Sequence, residues 1–202
     1  YRGSGGYGRQ FEDLGYAQWG RKMQSDISDG VAALEQTGRI KLDSKRAILG
    51  VAYGGYAALN AAVQDPEEYR CVVSVNAITD IGAFLDKFDQ DISEQRYAYY
   101  SWEAKIGEIA RDREQLKALS PAQQVSKMKS RILIIHGRDD DIVPVKQSEM
   151  MHNAARAAGV KSTLVRFENV GHSDWTRDRE YDIMSAADGF LQRCMRPRIS
   201  VR

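Results

Sequence analysis

Little in this chain would staple it, bind a metal or cross a membrane. Its two cysteines, Cys71 and Cys194, are too few for a disulfide framework and are not spaced as metal ligands. Buried free thiols are the default expectation, with one bridge between them left open. Neither a metal nor a cofactor is expected. The 29 basic and 28 acidic side chains leave a formal net charge of +1 and no long basic run, which argues against a nucleic-acid partner. No apolar stretch approaches the ~18 residues of a membrane-spanning helix. An initiator methionine and a leader are missing too, since the chain opens at Tyr1 directly into RGSGGYGRQ. Such an opening is expected of the interior of a longer polypeptide. It leaves the compartment open, and the oligomeric state with it, a homodimer being one assembly available. At 202 residues the prior is one domain with a core able to fold, without repeats or low-complexity tracts.

What the chain does have is one strongly patterned stretch, Arg46 to Leu59, reading RAILGVAYGGYAAL. Apolar residues (Ala47, Ile48, Leu49, Val51) run into Gly54-Gly55 and then an alanine-rich helix former. This predicts a buried strand turning sharply into a helix. In so tight a turn backbone meets backbone, so side chains two before and two after the apex must vanish. Gly50 and Gly54 flank Ala52 at those offsets. The pattern is a G-x-S-x-G nucleophile elbow in every position except the nucleophile. A methyl group stands where a hydroxyl would be. A phosphate-cradling loop would need G-x-G-x-x-G, which G-x-A-x-G-G does not supply.

The remaining pattern surrounds this elbow. Tyr1 to Gly8 holds four glycines and a serine, a loop that must bend close to other backbone. A short helix is expected over Arg9 to Tyr16. A longer one runs from Arg21 to Gln36, its stripe of Met23, Ile27, Val31, Ala32 and Leu34 facing a sheet and Gly38 closing it. After the elbow helix (Tyr53 to Gln64) and the Asp65-Pro66 breaker come strands at Cys71 to Val75, Arg131 to Ile135 and Ser162 to Phe167. Helical patterns at Lys146 to Ala158 and Tyr181 to Arg193 alternate with them, which predicts a parallel sheet covered on both faces. Thr79 to Ser130 reads as several short helices carrying Phe84, Phe88, Tyr97, Tyr99, Tyr100 and Trp102. An insertion there would roof a site at the carboxyl edge of the sheet.

An elbow needs an acid after a later strand and a histidine after a still later one. The third strand runs into HGRDDDIVP and the fourth into ENVGHSDW. His172, in a loop after a glycine, is the candidate base. His136 ends an apolar strand and reads as a structural partner, and His152 lies within a helix. Spacing leaves the acid open among Asp139, Asp140 and Asp141. In such a site a neutral imidazole removes the serine proton, while the carboxylate fixes its tautomer and stabilises the imidazolium.

With these segments assembled, the chain resembles the catalytic domain of the prolyl oligopeptidase family of serine peptidases, within the α/β-hydrolase superfamily, especially its acylaminoacyl-peptidase and dipeptidyl-peptidase branches. The resemblance is carried by YRGSGGYG, Trp19-Gly20, Asp26, Asp29, GVAYGGY, HGRDDDIVP and VGH in that order. It implies an α/β fold, a mostly parallel sheet with helices on both faces. It settles the acid on Asp140, framed by Gly137, Val143 and Pro144, and matches His172 to the base. Ala52 takes the nucleophile's place, and the backbone N–H of Tyr53 matches an oxyanion donor. It also implies an apolar pocket lined by Ile78, Ile81, Phe84 and Phe88, and a peptide substrate.

Two departures from the family pattern stand out. The first strands of the fold, one oxyanion donor and the β-propeller that usually precedes this domain lie outside the chain. An open sheet edge and poor folding of these 202 residues alone are therefore expected. Ala52 is the other departure: loss of a triad serine costs roughly a million-fold in turnover, so the chain as written should not hydrolyse peptides. Either the hydroxyl was removed by design or the chain is a pseudoenzyme that binds peptides. Retention of Asp140, His172 and the flanking glycines favours the first. A carboxylesterase would use the same triad.

Overall fold

The computed structural model describes residues 1–38, 46–87, 95–107 and 112–196. In chain order the elements are α1 (Arg9–Asp13), α2 (Lys22–Gln36), β1 (Arg46–Val51), α3 (Tyr53–Gln64), β2 (Tyr69–Val75), α4 (Ile81–Leu85), α5 (Gln95–Ile106), α6 (Arg113–Leu119), α7 (Pro121–Gln124), a 3-10 turn (Val125–Lys127), β3 (Arg131–Gly137), α8 (Lys146–Ala157), β4 (Ser162–Phe167) and α9 (Arg177–Met195). They divide into two compact units. A strand-bearing unit comprises Ser44–Thr79 and Val125–Arg202, and a helical unit comprises Tyr1–Asp43 and Asp80–Gln124.

All described strand pairs of the first unit are parallel, in the order β1-β2-β3-β4. Parallel neighbours need long crossovers, and helices provide them. Register aligns Leu49 with Val73 and Leu133, and Gly50 with Ser74 and Ile134. Because strand side chains alternate, the first set shares one face and the second set the other. On the first face α9 lays Ile183, Ala187 and Phe190 against Cys71, Val73, Val75, Leu133 and Ile135. On the second, α3 meets the sheet where the Ser74 hydroxyl donates to the Gly55 carbonyl, 3.3 Å. There too α8 brings Ser148 to His136, 2.6 Å. Helices therefore cover both faces, and β2 and β3 are buried almost throughout.

Three expectations are corrected. The thiols are not free, because Cys71 and Cys194 form a disulfide. Cys71 sits on the face beneath α9 and Cys194 in that helix's last turn, so helix packing brings their Cα atoms to 6.1 Å, a bridging distance. The second correction concerns β1, which is not fully buried. It lies at one end of the described sheet while α9 covers β2 and β3, leaving Leu49 41% and Val51 36% exposed. Thirdly, the stripe of α2 is covered only at its start: Met23 is buried, Ile27 and Val31 are half-buried, and Leu34 is 50% exposed. This helix belongs to the unit that contains none of the described strands.

α9 also begins earlier than its apolar periodicity indicates. The Thr176 hydroxyl accepts the Arg179 N–H at 3.4 Å, and Asp178 and Glu180 lie in the positive first turn.

Within the helical unit, the residues after β2 fold into short helices. Asp80 caps α4 by accepting the Ala83 N–H at 2.9 Å, and its second oxygen accepts Gln123 Nε2 at 2.6 Å. Trp102 on α5 stands edge-on to Phe84 (5.0 Å) and Trp19 (5.9 Å). In the glycine-rich opening, the Gly3 N–H donates to Phe11 O at 3.0 Å, and a Cβ on Gly3 would lie 3.0 Å from the Cα of Gly15. Arg2 ties this loop to α2 by pairing its guanidinium with Asp26 at 2.6 and 2.8 Å.

Candidate active site

The carboxyl ends of four parallel strands define one edge of the sheet, and each delivers a loop there. After β1 the chain turns at Ala52, with φ 52 and ψ −118, before entering α3. A positive φ at a residue other than glycine is strained by ~1–3 kcal/mol unless its surroundings enforce it. Here the Ala52 N–H donates to Val75 O at 2.9 Å, and its carbonyl accepts Gly55 N–H at 3.0 Å and Tyr56 N–H at 3.1 Å. A Cβ on Gly50 would overlap the Gly54 carbonyl, and one on Gly55 would come within 2.8 Å of the Ala77 Cβ. One on Gly54 would meet nothing within 4 Å. The demand for a bare Cα therefore falls on Gly50 and Gly55, and Gly54 contributes only its backbone to the close approach. Tyr53 opens α3 with its ring 5.6 Å from that of Tyr56.

The loops after β3 and β4 are knitted to each other. Arg138 N–H donates to Phe167 O (2.9 Å) and Asp139 N–H to Val170 O (3.0 Å). Gly137 permits the crossing, since a Cβ there would overlap the Val170 carbonyl. Asp140 is the buried member of the acidic run, while Asp139 and Asp141 are exposed. Its Oδ1 accepts the N–H groups of Val143 (2.7 Å) and Ile142 (3.1 Å). Its Oδ2 meets His172 Nδ1 at 2.8 Å and His136 Nε2 at 3.3 Å. Burial alone would push this carboxyl up. The hydrogen bonds from His136, His172 and Val143 outweigh burial and hold Asp140 well below the usual carboxylate range.

Donor and acceptor chemistry assigns both tautomers. A carboxylate only accepts, so His172 Nδ1 carries the proton and Nε2 of the neutral ring is the acceptor. His136 is set the opposite way. Its Nε2 lies 2.8 Å from the Val143 carbonyl and must donate, which leaves Nδ1 to accept from the Ser148 hydroxyl at 2.6 Å.

Residues 1–198 match the family model described as Prolyl oligopeptidase family. The chain belongs to the prolyl oligopeptidase family. It is 26% identical over 198 residues to dipeptidyl aminopeptidase BIII of Pseudoxanthomonas mexicana, an alignment covering 96% of this chain and 28% of that protein. Among solved structures it resembles a Mycobacterium tuberculosis puromycin-hydrolyzing peptidase, with a TM-score of 0.82, 24% identity, and coverage of 98% of this chain and 29% of the other. It also resembles a Pyrococcus horikoshii acylaminoacyl peptidase, with a TM-score of 0.80, 23% identity, and coverage of 100% and 32%. Those likenesses establish the α/β-hydrolase fold. The chain thus spans about 28% of the length of that curated relative.

The other residues singled out in the sequence are distributed as follows. Ile78 follows β2 and is 4% exposed. Ile81 and Phe84 are fully enclosed within the helical unit, and Phe88 lies outside the described residues. His152 is half-buried, its Nδ1 2.9 Å from the Ser162 hydroxyl. Among the described residues no group of three or more His, Cys, Asp or Glu could hold a metal, and no helix is long and apolar enough to cross a membrane.

Sequence reasoning missed two polar residues in this network, Asn76 and Ser148. Both are buried: Asn76 follows β2 and Ser148 lies inside α8, where nothing local separates them from a turn residue and a helix-surface serine. The one available signal was asparagine directly after an apolar strand, since asparagine tolerates the left-handed conformation it adopts there (φ 48).

Proposed function

We propose that the chain is the carboxyl-terminal part of the catalytic domain of a serine peptidase, with residues 79–130 as its helical insertion. The reaction it is built for is amide hydrolysis by acyl transfer, with Asp140 as the acid, His172 as the base and the position of Ala52 for the nucleophile. The observation carrying this reading is the 2.8 Å bond from His172 Nδ1 to Asp140 Oδ2 on loops that leave the same sheet edge as the Ala52 turn. With Nδ1 committed to the acid, Nε2 would take the proton of a serine at position 52, and Asp140 would stabilise the resulting imidazolium. The Tyr53 N–H, at the first residue of α3, would face the developing oxyanion. A peptide is the proposed substrate, in keeping with the names of the relatives. A preceding β-propeller and a homodimer are the proposed partners, and no cofactor is invoked.

Ala52 makes the chain inert as written, and a peptide-binding pseudoenzyme is the competing reading that this residue favours. Introducing Ala52→Ser and treating with a fluorophosphonate separates the two. A covalent adduct and turnover of a chromogenic aminoacyl or dipeptidyl amide only in the serine form support the peptidase. Silence of both forms, with peptide binding retained, supports the binding module. Preferential cleavage of esters over amides would instead identify a carboxylesterase.

A further inference from the structure

Asn76 belongs to no part of the triad, yet its side chain bonds both the start of the acid loop and the backbone of the base. It lies directly after β2, 1% exposed, with φ 48. Its Nδ2 donates to two consecutive carbonyls, Gly171 at 3.1 Å and His172 at 2.9 Å. Its Oδ1 accepts the N–H of Gly137 at 2.9 Å. The amide orientation is dictated by chemistry, because peptide carbonyls only accept and a peptide N–H only donates. The backbone of Asn76 is anchored as well, its N–H donating to Ile135 O at 3.0 Å, and the Val75 carbonyl beside it holds the Ala52 N–H at 2.9 Å. One side chain after β2 therefore spans from the start of the acid loop to the backbone of the base, and its neighbour holds the elbow.

Residues 170–176 have no regular secondary structure, so no ladder of backbone bonds sets their height above the sheet. Among the described residues, the side chains of Asn76 and Trp175 bond the Gly171 carbonyl, Trp175 Nε1 donating at 3.1 Å. The His172 carbonyl is bonded by Asn76. We propose that Asn76 is the positioning residue of His172, fixing the backbone on which the imidazole pivots so that Nδ1 falls on Asp140. The positioning is a ground-state property of the loops. Only its consequence for turnover rests on the acyl-transfer reading.

Two substitutions test it in the full polypeptide. Asn76→Asp keeps the size, the tolerance of positive φ and the acceptor for Gly137, but removes both donors and turns a carboxylate oxygen toward two carbonyls. Asn76→Gly also tolerates the backbone and deletes the amide, so it serves where Asn76→Asp does not fold. The first readout is the far-downfield proton resonance of the His172 Nδ1–H bonded to Asp140, assigned by its disappearance in His172→Gln. It is expected in the parent chain and lost to solvent exchange in both variants at unchanged circular dichroism. In the Ala52→Ser background, with active sites titrated by fluorophosphonate, kcat per site is expected to fall about 100-fold at little-changed KM. Folded variants that keep both the resonance and kcat would overturn the proposal. A merely structural role would lower the titratable fraction and leave kcat per site intact, which also overturns it. If the serine form is silent toward every substrate, the acyl-transfer reading fails by itself, and the resonance still decides the role of Asn76.

Discussion

In the strand-bearing unit the polar groups that matter are buried and multiply bonded: Asp140 accepts from two backbone N–H groups and two imidazoles, and Asn76 bonds three peptide groups. In the helical unit the charged ties lie nearer to solvent. Arg2 on Asp26 leaves those side chains 27% and 18% exposed, and Arg113 on Asp86 leaves 61% and 48%. The contrast follows from how much each kind of bond can hold. A buried carboxylate left with a missing partner suffers its full desolvation penalty, whereas an exposed ion pair exchanges protein contacts for water at small net change. Geometry that must be accurate is therefore expected where polar groups are enclosed, and the triad candidates all lie in the unit that encloses them.

The comparison breaks first at the acid. In the Ala52→Ser background, Asp140→Asn is expected to lower kcat by roughly 10⁴-fold, because an amide cannot hold His172 in the Nδ1–H tautomer. Arg2→Ala in the same background should leave kcat essentially unchanged. Equal losses from both would erase the distinction between the units. Next in size is the disulfide. It closes a separation of 123 residues between β2 and α9, and loop entropy sets its contribution at up to about 5 kcal/mol. Cys71→Ser with Cys194→Ser should lower the denaturation midpoint by the equivalent of roughly 2–5 kcal/mol, and adding a reductant to the parent should do the same.

A smaller effect is expected at His136. His136→Phe removes the donor to Val143 O and one of the two imidazoles on Asp140, and it orphans the Ser148 hydroxyl. A loss of about 1–3 kcal/mol is expected in chemical denaturation, together with a raised carboxyl pKa for Asp140 readable by carbon NMR. The smallest effect belongs to the helical unit. Arg2→Ala should shift the denaturation midpoint only slightly, such a pair being solvated and further screened by salt. Its pH dependence has a definite sign. Hydrogen bonding to Arg2 lowers Asp26 to about 2 in the folded chain. The pair's contribution is thus fully present above the unfolded carboxylate value near pH ~4 and is lost as the pH falls through the folded value. Melting curves of the parent and Arg2→Ala should converge over that acid range. A constant gap between them down to strong acid would remove the pair from the account.

Much of the architecture was legible locally. The runs at Tyr53–Gln64 and Ser162–Phe167 begin and end where their patterns predict, since a glycine turn and a strand of alternating residues announce themselves within a few positions. Chain order alone put a histidine loop after an acid loop after the elbow. Periodicity failed where burial depended on a neighbour. The α2 stripe has helical spacing but is fully buried only at Met23, and β1 is apolar but half open because α9 stops short of it. It also failed at the start of α9, where four charged residues precede the apolar pattern and only the Thr176 cap marks the beginning.

Local sequence determined the strand and helix order, the glycine-built turn at Ala52 and the loops in which an acid and a base should be sought, because each depends on dihedral preference or side-chain alternation over short range. The pairing of Cys71 with Cys194, the opposite tautomers of His136 and His172, and the bridging by Asn76 were decided only in three dimensions. Several of these contacts join residues more than 60 positions apart, Asn76 to Gly137 at 61 and to His172 at 96. Separations of that length leave no periodic trace in a sequence, and it is sheet register and helix packing that bring such groups within bonding distance.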